Sequence, residues 1–444
     1  MAQLEAPAAS SGTALWRRLA ILLLLAAALF LPLWHIHIID RNYPLPGSCN
    51  DLIGRWVGTR AALHGKDPYS PQVFAEIQAA YYGHPISAAD RVPDQAFNYP
   101  AHLVVLLAPF APLSWLAFRL TFLFTVVPLL LLSFWLGIEF LGLRIPRGKT
   151  ALIVLLAFSS WPVLFGLRML QPALPVCALM LLACYLVTRH QGAAAGFLLA
   201  LATVKPQLVV PLLLWLFLWT ALRRQWSLLV SFTITLALLL IAAEIMVPGW
   251  FPEWLAAIRI YHALYPTLPL QLLLGHWPGM AATLLITVWG GWRLWQLRRC
   301  SLRSPAYGHA ISLVLAITVC ANSIGNPSVP PMLQAQILLL PAAALLLWTK
   351  RPAGNGYPVL VYRLGQILLA WLFAAVPLAV AGESLFRPAG FWYGLPFLNA
   401  LLPIPLTLFL INIARPEGDA GEHRTAPVGD QRLYRLRQHN HPSA

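Results

Sequence analysis

Hydrophobic and polar positions along this chain alternate in long blocks, not residue by residue. Apolar runs such as Leu19–Leu33, Leu120–Leu136, Leu208–Leu222 and Leu228–Val247 are each near or above the reach needed to cross a bilayer core. Apolar segments lie at about 150–168, 172–188, 193–221, 227–247, 280–297, 307–324, 332–349, 364–381 and 394–414, separated by short polar loops. A backbone inside lipid must satisfy its hydrogen bonds within its own segment, so these runs predict helices. The pattern predicts an all-α polytopic membrane protein with about ten to thirteen transmembrane helices. Two segments strain that count. The run 99–113 is short and Pro-flanked (Pro100, Pro109, Pro112), which predicts a short or re-entrant helix. The run 193–221 begins and ends beside basic loops, so it must cross twice or break, and Val204-Lys205-Pro206-Gln207 marks the break.

One polar window interrupts the pattern, from Asp40 to Asn98. Within it Leu52, Ile53, Trp56, Val57 and Leu63 recur at helical spacing, which predicts an amphipathic helix opened by Asn50-Asp51. Gly65 stops that helix and Asp67-Pro68-Tyr69 turns the chain. The helix is expected to lie flat on the outer membrane surface. The first apolar run follows Trp16-Arg17-Arg18 and has no clear small-x-small cleavage site before the window, so it reads as a retained helix and not a removed signal peptide. The chain thus divides into an integral membrane domain over 1–414, with 39–98 as its first extracytoplasmic loop, and a polar tail over 415–444 expected to be a disordered cytoplasmic end.

Composition agrees. The chain is 59% hydrophobic and 10% charged, where soluble chains carry about 25% charged residues. The net charge of +15 changes the picture less than it suggests. Twenty of the thirty Lys and Arg residues lie at Arg17–Arg18, Arg144/Arg147/Lys149, Arg189, Arg223–Arg224, Arg293/Arg298/Arg299/Arg303, Lys350–Arg351/Arg363 and in the tail from Arg415. That is the distribution of cytoplasmic loops, not a basic face for nucleic acid. It puts the polar window on the extracytoplasmic side of an inner (plasma) membrane. Arg168, Gln171, Lys205, Gln207, Gly249–Gly279, Asn322, Asn326 and Glu383–Tyr393 fall on the same side. Five cysteines without a CxxC pair give neither a disulfide framework nor a metal site. No nucleotide-cradling Gly-rich loop is present, which argues against a nucleotide-sugar donor or ATP drive. No cofactor is expected.

Asp51 leads the candidates for chemistry. Six of the chain's fifteen acidic residues (Asp40, Asp51, Asp67, Glu76, Asp90, Asp94) lie in the window. In the first turn of its helix, Asp51 can merely cap or complement the dipole. The same dipole would keep it ionised, the state a general base needs before it acts. Lys205, in an apolar run beside a proline break, either snorkels to an interface or supplies a cation for a phosphate. Gln207, Arg168 and Gln171 could add donors at the same depth. The stretch Pro248–Pro266 alternates aromatic rings with Arg259 and His262, and reads as an interfacial belt or as a lid over a lipid-linked substrate. His35, His37, His64, His84, His102, His262 and His276 lack metal-ligand context. Glu139 and Glu244 lie within or at the ends of apolar runs.

Four stretches carry a family resemblance: DLIGRWVGTRAALHGKDPYSP from Asp51, DQAFNYPAHLVVLLAPFAPLSW from Asp94, LQPALPVCALML from Leu170 and GFLLALATVKPQLVVPLLLWL from Gly196. Together they are similar to glycosyltransferase family 87, enzymes of the GT-C type that use polyprenyl-phosphate sugars. The resemblance covers residues 15–225 well and the second half more loosely. It implies a GT-C-like bundle with amphipathic surface helices in the first extracytoplasmic loop, and a catalytic aspartate at Asp51. It implies a polyprenyl-phosphate-linked sugar donor delivered from the bilayer, a lipid or glycan acceptor, and transfer of a hexosyl unit (mannosyl by default) or a pentosyl unit with inversion. Asp51 would take the acceptor's proton. Lys205, Gln207, Gln171, Arg168, Arg60, Tyr99 and His262 would bind substrate.

The chain departs from that family in its late outer loop. Members often carry an acid or a histidine there, whereas this chain reads NSIGNPSVPPMLQAQ from Asn322. Either Asn326, Gln334 or Gln336 replaces that group or the acceptor differs. Two rivals remain on the sequence. A transporter or flippase of a lipid-linked sugar would explain an intramembrane lysine and a helix break. A structural subunit of an envelope complex would need neither Asp51 nor Lys205.

Overall fold

The computed structural model describes residues 50–84, 96–143, 145–264, 267–302, 304–322, 333–349, 352, 356–385 and 398–413. The expected first helix, Asn326 and the tail lie outside the described residues. Seventeen α-helices and no strand occur among those described. In chain order they are α1 (Leu52–Leu63), α2 (Pro71–Tyr82), α3 (His102–Leu107), α4 (Trp115–Glu139), α5 (Arg147–Phe158), α6 (Trp161–Arg168), α7 (Ala173–Thr188), α8 (Gly192–Ala202) and α9 (Pro206–Arg223). There follow α10 (Ser227–Met246), α11 (Trp250–Leu264), α12 (Gln271–Leu274), α13 (His276–Gln296), α14 (Pro305–Cys320), α15 (Leu340–Trp348), α16 (Tyr357–Leu385) and α17 (Pro403–Ile413).

Four of these are long and apolar enough to cross a membrane: α4, α9, α10 and α16 over Tyr357–Ala374. The pair α5–α6, bent by 50°, makes a fifth if taken as one span. Most other apolar runs fold as shorter helices, and α13 is long but less apolar, so length and composition give four or five candidate spans among the described residues. The run 193–221 breaks where the sequence predicts, between Ala202 and Pro206. The run 150–168 breaks as well, which the apolar pattern hides. There the Ser159 and Ser160 hydroxyls turn back to the Leu156 and Ala157 carbonyls, and Pro162 begins the next helix.

Helices α7 and α14 are the centre of the bundle. Cys177, Ala178, Met180, Leu181, Ala183 and Cys184 on α7 are wholly buried, as are Tyr307, Ala310, Ile311, Leu313, Leu315 and Ala316 on α14. A helix apolar all round belongs inside. By contrast, α10 and α13 present Leu238, Ile241, Ile245, Leu284, Leu285 and Val288 outward, the surface a lipid-facing helix offers. Helix α8 meets α10 through Gly192 and Gly196. A Cβ at Gly196 would run into the Leu228 carbonyl, so this small-xxx-small spacing sets the approach of the two backbones.

Candidate active site

The polar window folds as a helical cap. Ser70 accepts a hydrogen bond from the Val73 N–H, Pro71 opens α2, and Gly65 (φ 72°) turns the chain after α1. Asp67 Oδ1 accepts from the Tyr69 N–H at 3.0 Å, the Asx turn the sequence predicts. The side of α1 that is buried differs from the expected stripe. Leu52 and Ile53 are buried within the protein, Trp56 and Val57 half-buried, and Leu63 exposed. Gly54 faces Ile77 of α2 and Gly58 lies against the Phe97 ring, where a Cβ would clash. The Tyr69 hydroxyl donates to the Tyr99 carbonyl at 2.6 Å. The cap thereby fixes Tyr99 beside the start of α1.

Asp51 sits at the N-terminus of α1 and is 5% exposed. It does not cap the helix: its side chain makes no cap hydrogen bond, and Asn50 Oδ1 takes the Ile53 N–H at 3.2 Å instead. Its backbone N–H donates to the Met169 carbonyl at 2.8 Å, which ties the cap to the α6–α7 turn. Burial pushes the carboxyl above the usual aspartate range, and the nearby positive charges of Arg55 and Lys205 oppose that shift. Desolvation outweighs the two charges, because the residue is enclosed and not on a wet helix end. A raised carboxyl is the better proton acceptor.

Arg55 is the site residue that sequence reading passed over. It is 7% exposed and its Nη1 donates to the Asp51 carbonyl at 2.5 Å. Its guanidinium carbon stands 4.6 Å from the Tyr99 ring centroid. Its position one helical turn after Asp51 was the available signal.

Lys205 enters from the α8–α9 break. Its ammonium is 3.5 Å from Gln171 Oε1 and 5.5 Å from the Tyr99 ring centroid. Gln171 is buried and leaves α6 through Leu170, a buried residue held at φ 48°. The Gln171 N–H closes the turn on the Gly166 carbonyl at 2.9 Å. Glycine is usual at such a helix stop, so a leucine there is local strain spent on direction. His102 braces the break. Its Nε2 is 3.2 Å from Thr203 Oγ1, whose own proton goes to the Ala200 carbonyl. The imidazole is therefore the donor, and burial lowers its pKa to about 4.

Asp51, Tyr99, Gln171 and Lys205 thus converge, with Arg55 added. The positive charges of two cations act on one carboxyl. An apolar cavity of about 300 Å³ adjoins them through their chain neighbours. Its walls include Leu52, Pro172 and Val204, the chain neighbours of Asp51, Gln171 and Lys205, and continue through Leu103, Phe118 and Val176. The other expected residues go elsewhere. Arg168 and Gln207 are exposed. Arg60 lies over the Trp56 ring at 4.7 Å and lines a separate recess with His64, Lys66 and Glu76. His262 falls on α11, but its side chain lies outside the described residues. Glu244 accepts the Gly249 N–H at 2.8 Å and Glu139 is exposed, so neither joins the site.

A family model of glycosyltransferase family 87 matches residues 97–323, half of the chain. That stretch includes Tyr99, Gln171 and Lys205 and begins after Asp51. No curated protein and no solved structure matches the chain. The matched stretch and the all-helical bundle with its candidate membrane spans agree in what they identify: the chain belongs to glycosyltransferase family 87 and is a multi-pass membrane glycosyltransferase.

Proposed function

We propose that the enzyme moves a sugar from a polyprenyl phosphate to a lipid or glycan acceptor, at a site facing the extracytoplasmic side of the inner (plasma) membrane. The observation that carries this reading is the junction of two environments. The charged cluster of Asp51, Arg55 and Lys205 adjoins an apolar cavity of about 300 Å³, whose walls include the chain neighbours Leu52 and Val204. A sugar nucleotide has no use for an apolar extension of that kind, whereas a prenyl chain does.

The proposed step is a single displacement. Asp51 accepts the proton of an acceptor hydroxyl, and that oxygen attacks the anomeric carbon from the side opposite the phosphate. The bond from that carbon to the phosphate oxygen breaks, and its electron pair leaves with the polyprenyl phosphate. Lys205 and Arg55 hold the departing charge, which in a site closed to water is where fixed cations are worth most. Gln171 and Tyr99 orient Lys205. The products are the glycosylated acceptor with inverted configuration and free polyprenyl phosphate, and Asp51 returns its proton to solvent. The transferred unit is a hexosyl, mannosyl by default, or a pentosyl. We further propose that residues 1–414 form one integral domain, with 415–444 as a cytoplasmic tail.

Transfer in nanodiscs tests the reading. Wild-type protein would meet a panel of polyprenyl-phosphate sugars and a crude membrane-lipid acceptor, alongside Asp51→Asn. Turnover that disappears in Asp51→Asn while donor binding persists is the expected result. Saturable donor binding with no turnover for any donor would replace the transferase chemistry with transport.

A further inference from the structure

A second polar cluster lies on the other side of the α6–α7 turn. Gln334 and Gln336 open the 3-10 turn that precedes α15, and Asn399 sits in the turn before α17. All three are buried, Asn399 completely. Gln336 Nε2 donates to the Asn399 backbone carbonyl at 2.5 Å. Four further side-chain atoms of the three are unspent. Gln334 Nε2, Gln336 Oε1 and both amide atoms of Asn399 have no hydrogen-bond partner, and neither does the Trp161 indole N–H at the start of α6. Leu333 and Ala400 form a small apolar nucleus of their own here, with Trp161 packed against it. The Trp161 ring stacks on Phe165, 5.0 Å between centroids and 24° from parallel. The Trp161 ring is half-buried, though its indole N–H is enclosed.

Buried polar atoms are almost always paired, so this many orphans in one place demand a ligand or water. The donor and acceptor count names the ligand. Carboxamides give N–H and C=O in one plane, matched to neighbouring hydroxyls, and a flat ring gives a platform for a pyranose face. Among the described residues no charged side chain belongs to the cluster, so a phosphate or carboxylate finds no counter-ion in these four residues. The position names the role. A Cβ at Gly166 would stand 3.0 Å from Gln334 Cγ. The carbonyl of that same glycine closes the turn onto Gln171. The two clusters thus share the turn at residues 166–171.

We propose that Gln334, Gln336, Asn399 and Trp161 form a subsite for an uncharged sugar ring, which the transferase holds against the α6–α7 turn while Asp51 acts. This rests on the reading of Asp51 and Lys205 given above. The ring belongs either to the acceptor or to the sugar of the donor.

Binding in nanodiscs separates these sources. Three probes are titrated into wild type and Asn399→Leu: mannobiose, a short-chain polyprenyl phosphate and the corresponding polyprenyl-phosphate mannose. Thermal stability of each protein is recorded alongside. Weakening of mannobiose at least ten-fold in Asn399→Leu, with both phosphates unchanged and no drop in Tm, assigns the ring to the acceptor. Equal weakening of the polyprenyl-phosphate mannose alone, relative to the bare phosphate, assigns it to the donor. Gln334→Leu repeats the test should Asn399→Leu fail to fold. If every probe binds the folded variants as it binds wild type, the amides only hold water and the subsite is overturned. Failure of the bare phosphate to bind wild type, or its indifference to Lys205→Ala, sinks the Lys205 reading and leaves the mannobiose arm legible.

Discussion

The two polar clusters that share the turn at residues 166–171 are built differently. Around Asp51, charged groups gather about an aromatic ring: Arg55 and Lys205 over Tyr99, Lys205 at Gln171, both cations biasing the Asp51 carboxyl. Around Asn399, uncharged amides leave atoms unpaired. The difference follows from what burial costs. An isolated charge in a low-dielectric interior is prohibitive, so a charged site must be assembled before any ligand arrives. An unpaired amide costs only about 1–3 kcal/mol, so a neutral site can wait for its partner.

The largest effects should fall in the charged cluster. Asp51→Asn keeps the shape and removes the proton acceptor. It should lower kcat by about 10²–10⁴-fold, the usual worth of a positioned base, with donor binding retained. Full activity in that variant would leave the enzyme without this base. Lys205→Ala should cost about 10²–10³-fold, as loss of one donor to a leaving oxyanion does. Measured as kcat/KM with intact donor, the loss should be smaller for Lys205→Arg, which keeps the charge.

Arg55 sharpens the comparison through pH. The Asp51 carboxyl is raised by burial, so kcat/KM should fall as pH drops through a value above the ordinary aspartate range, because the protonated acid accepts nothing. Arg55 opposes the shift. Arg55→Gln should therefore move the acid limb to higher pH, and Arg55→Lys should bring it back. A limb that stays in place in Arg55→Gln would mean that the guanidinium only packs on Tyr99.

In the neutral cluster the sign reverses for stability. Asn399→Leu removes two unpaired buried atoms while the backbone carbonyl that serves Gln336 remains. It should stabilise the fold by about 1–3 kcal/mol, read as a rise in Tm. A fall in Tm would show that the amide is satisfied in the folded protein after all.

Much of this was legible in the sequence, for identifiable reasons. Apolar blocks give away membrane helices because lipid permits little else. The break at Lys205 shows because Pro206 cannot donate a helical hydrogen bond. Asp51 shows because acids are rare outside the polar window. Arg55 was hidden among the arginines of an amphipathic helix, and only the fold reveals that its side is enclosed. The break at Ser159–Ser160 was hidden because hydroxyls that bond back to their own helix look polar only in place. The Asn399 cluster could not be read at all, since it joins segments more than two hundred residues apart, from Trp161 to Asn399.

The smallest expected effect tests where the charged cluster ends. Gln207 and Arg60 carry the right chemistry, and depth along the chain favours Gln207. Yet Gln207 is exposed on α9, and Arg60 lies nine residues after Asp51, about 13 Å along the helix, over the Trp56 ring. Substitutions at exposed positions usually change free energies by less than about 0.5 kcal/mol. Gln207→Ala should therefore leave kcat/KM within about two-fold of wild type, and so should Arg60→Ala, half-buried in a separate recess, while Gln171→Ala, which loosens Lys205, should not. If Gln207→Ala matched the loss seen in Gln171→Ala, the donor phosphate would have to reach beyond the helix break. The boundary drawn here between the Lys205 pocket and the open face of α9 would then be in the wrong place.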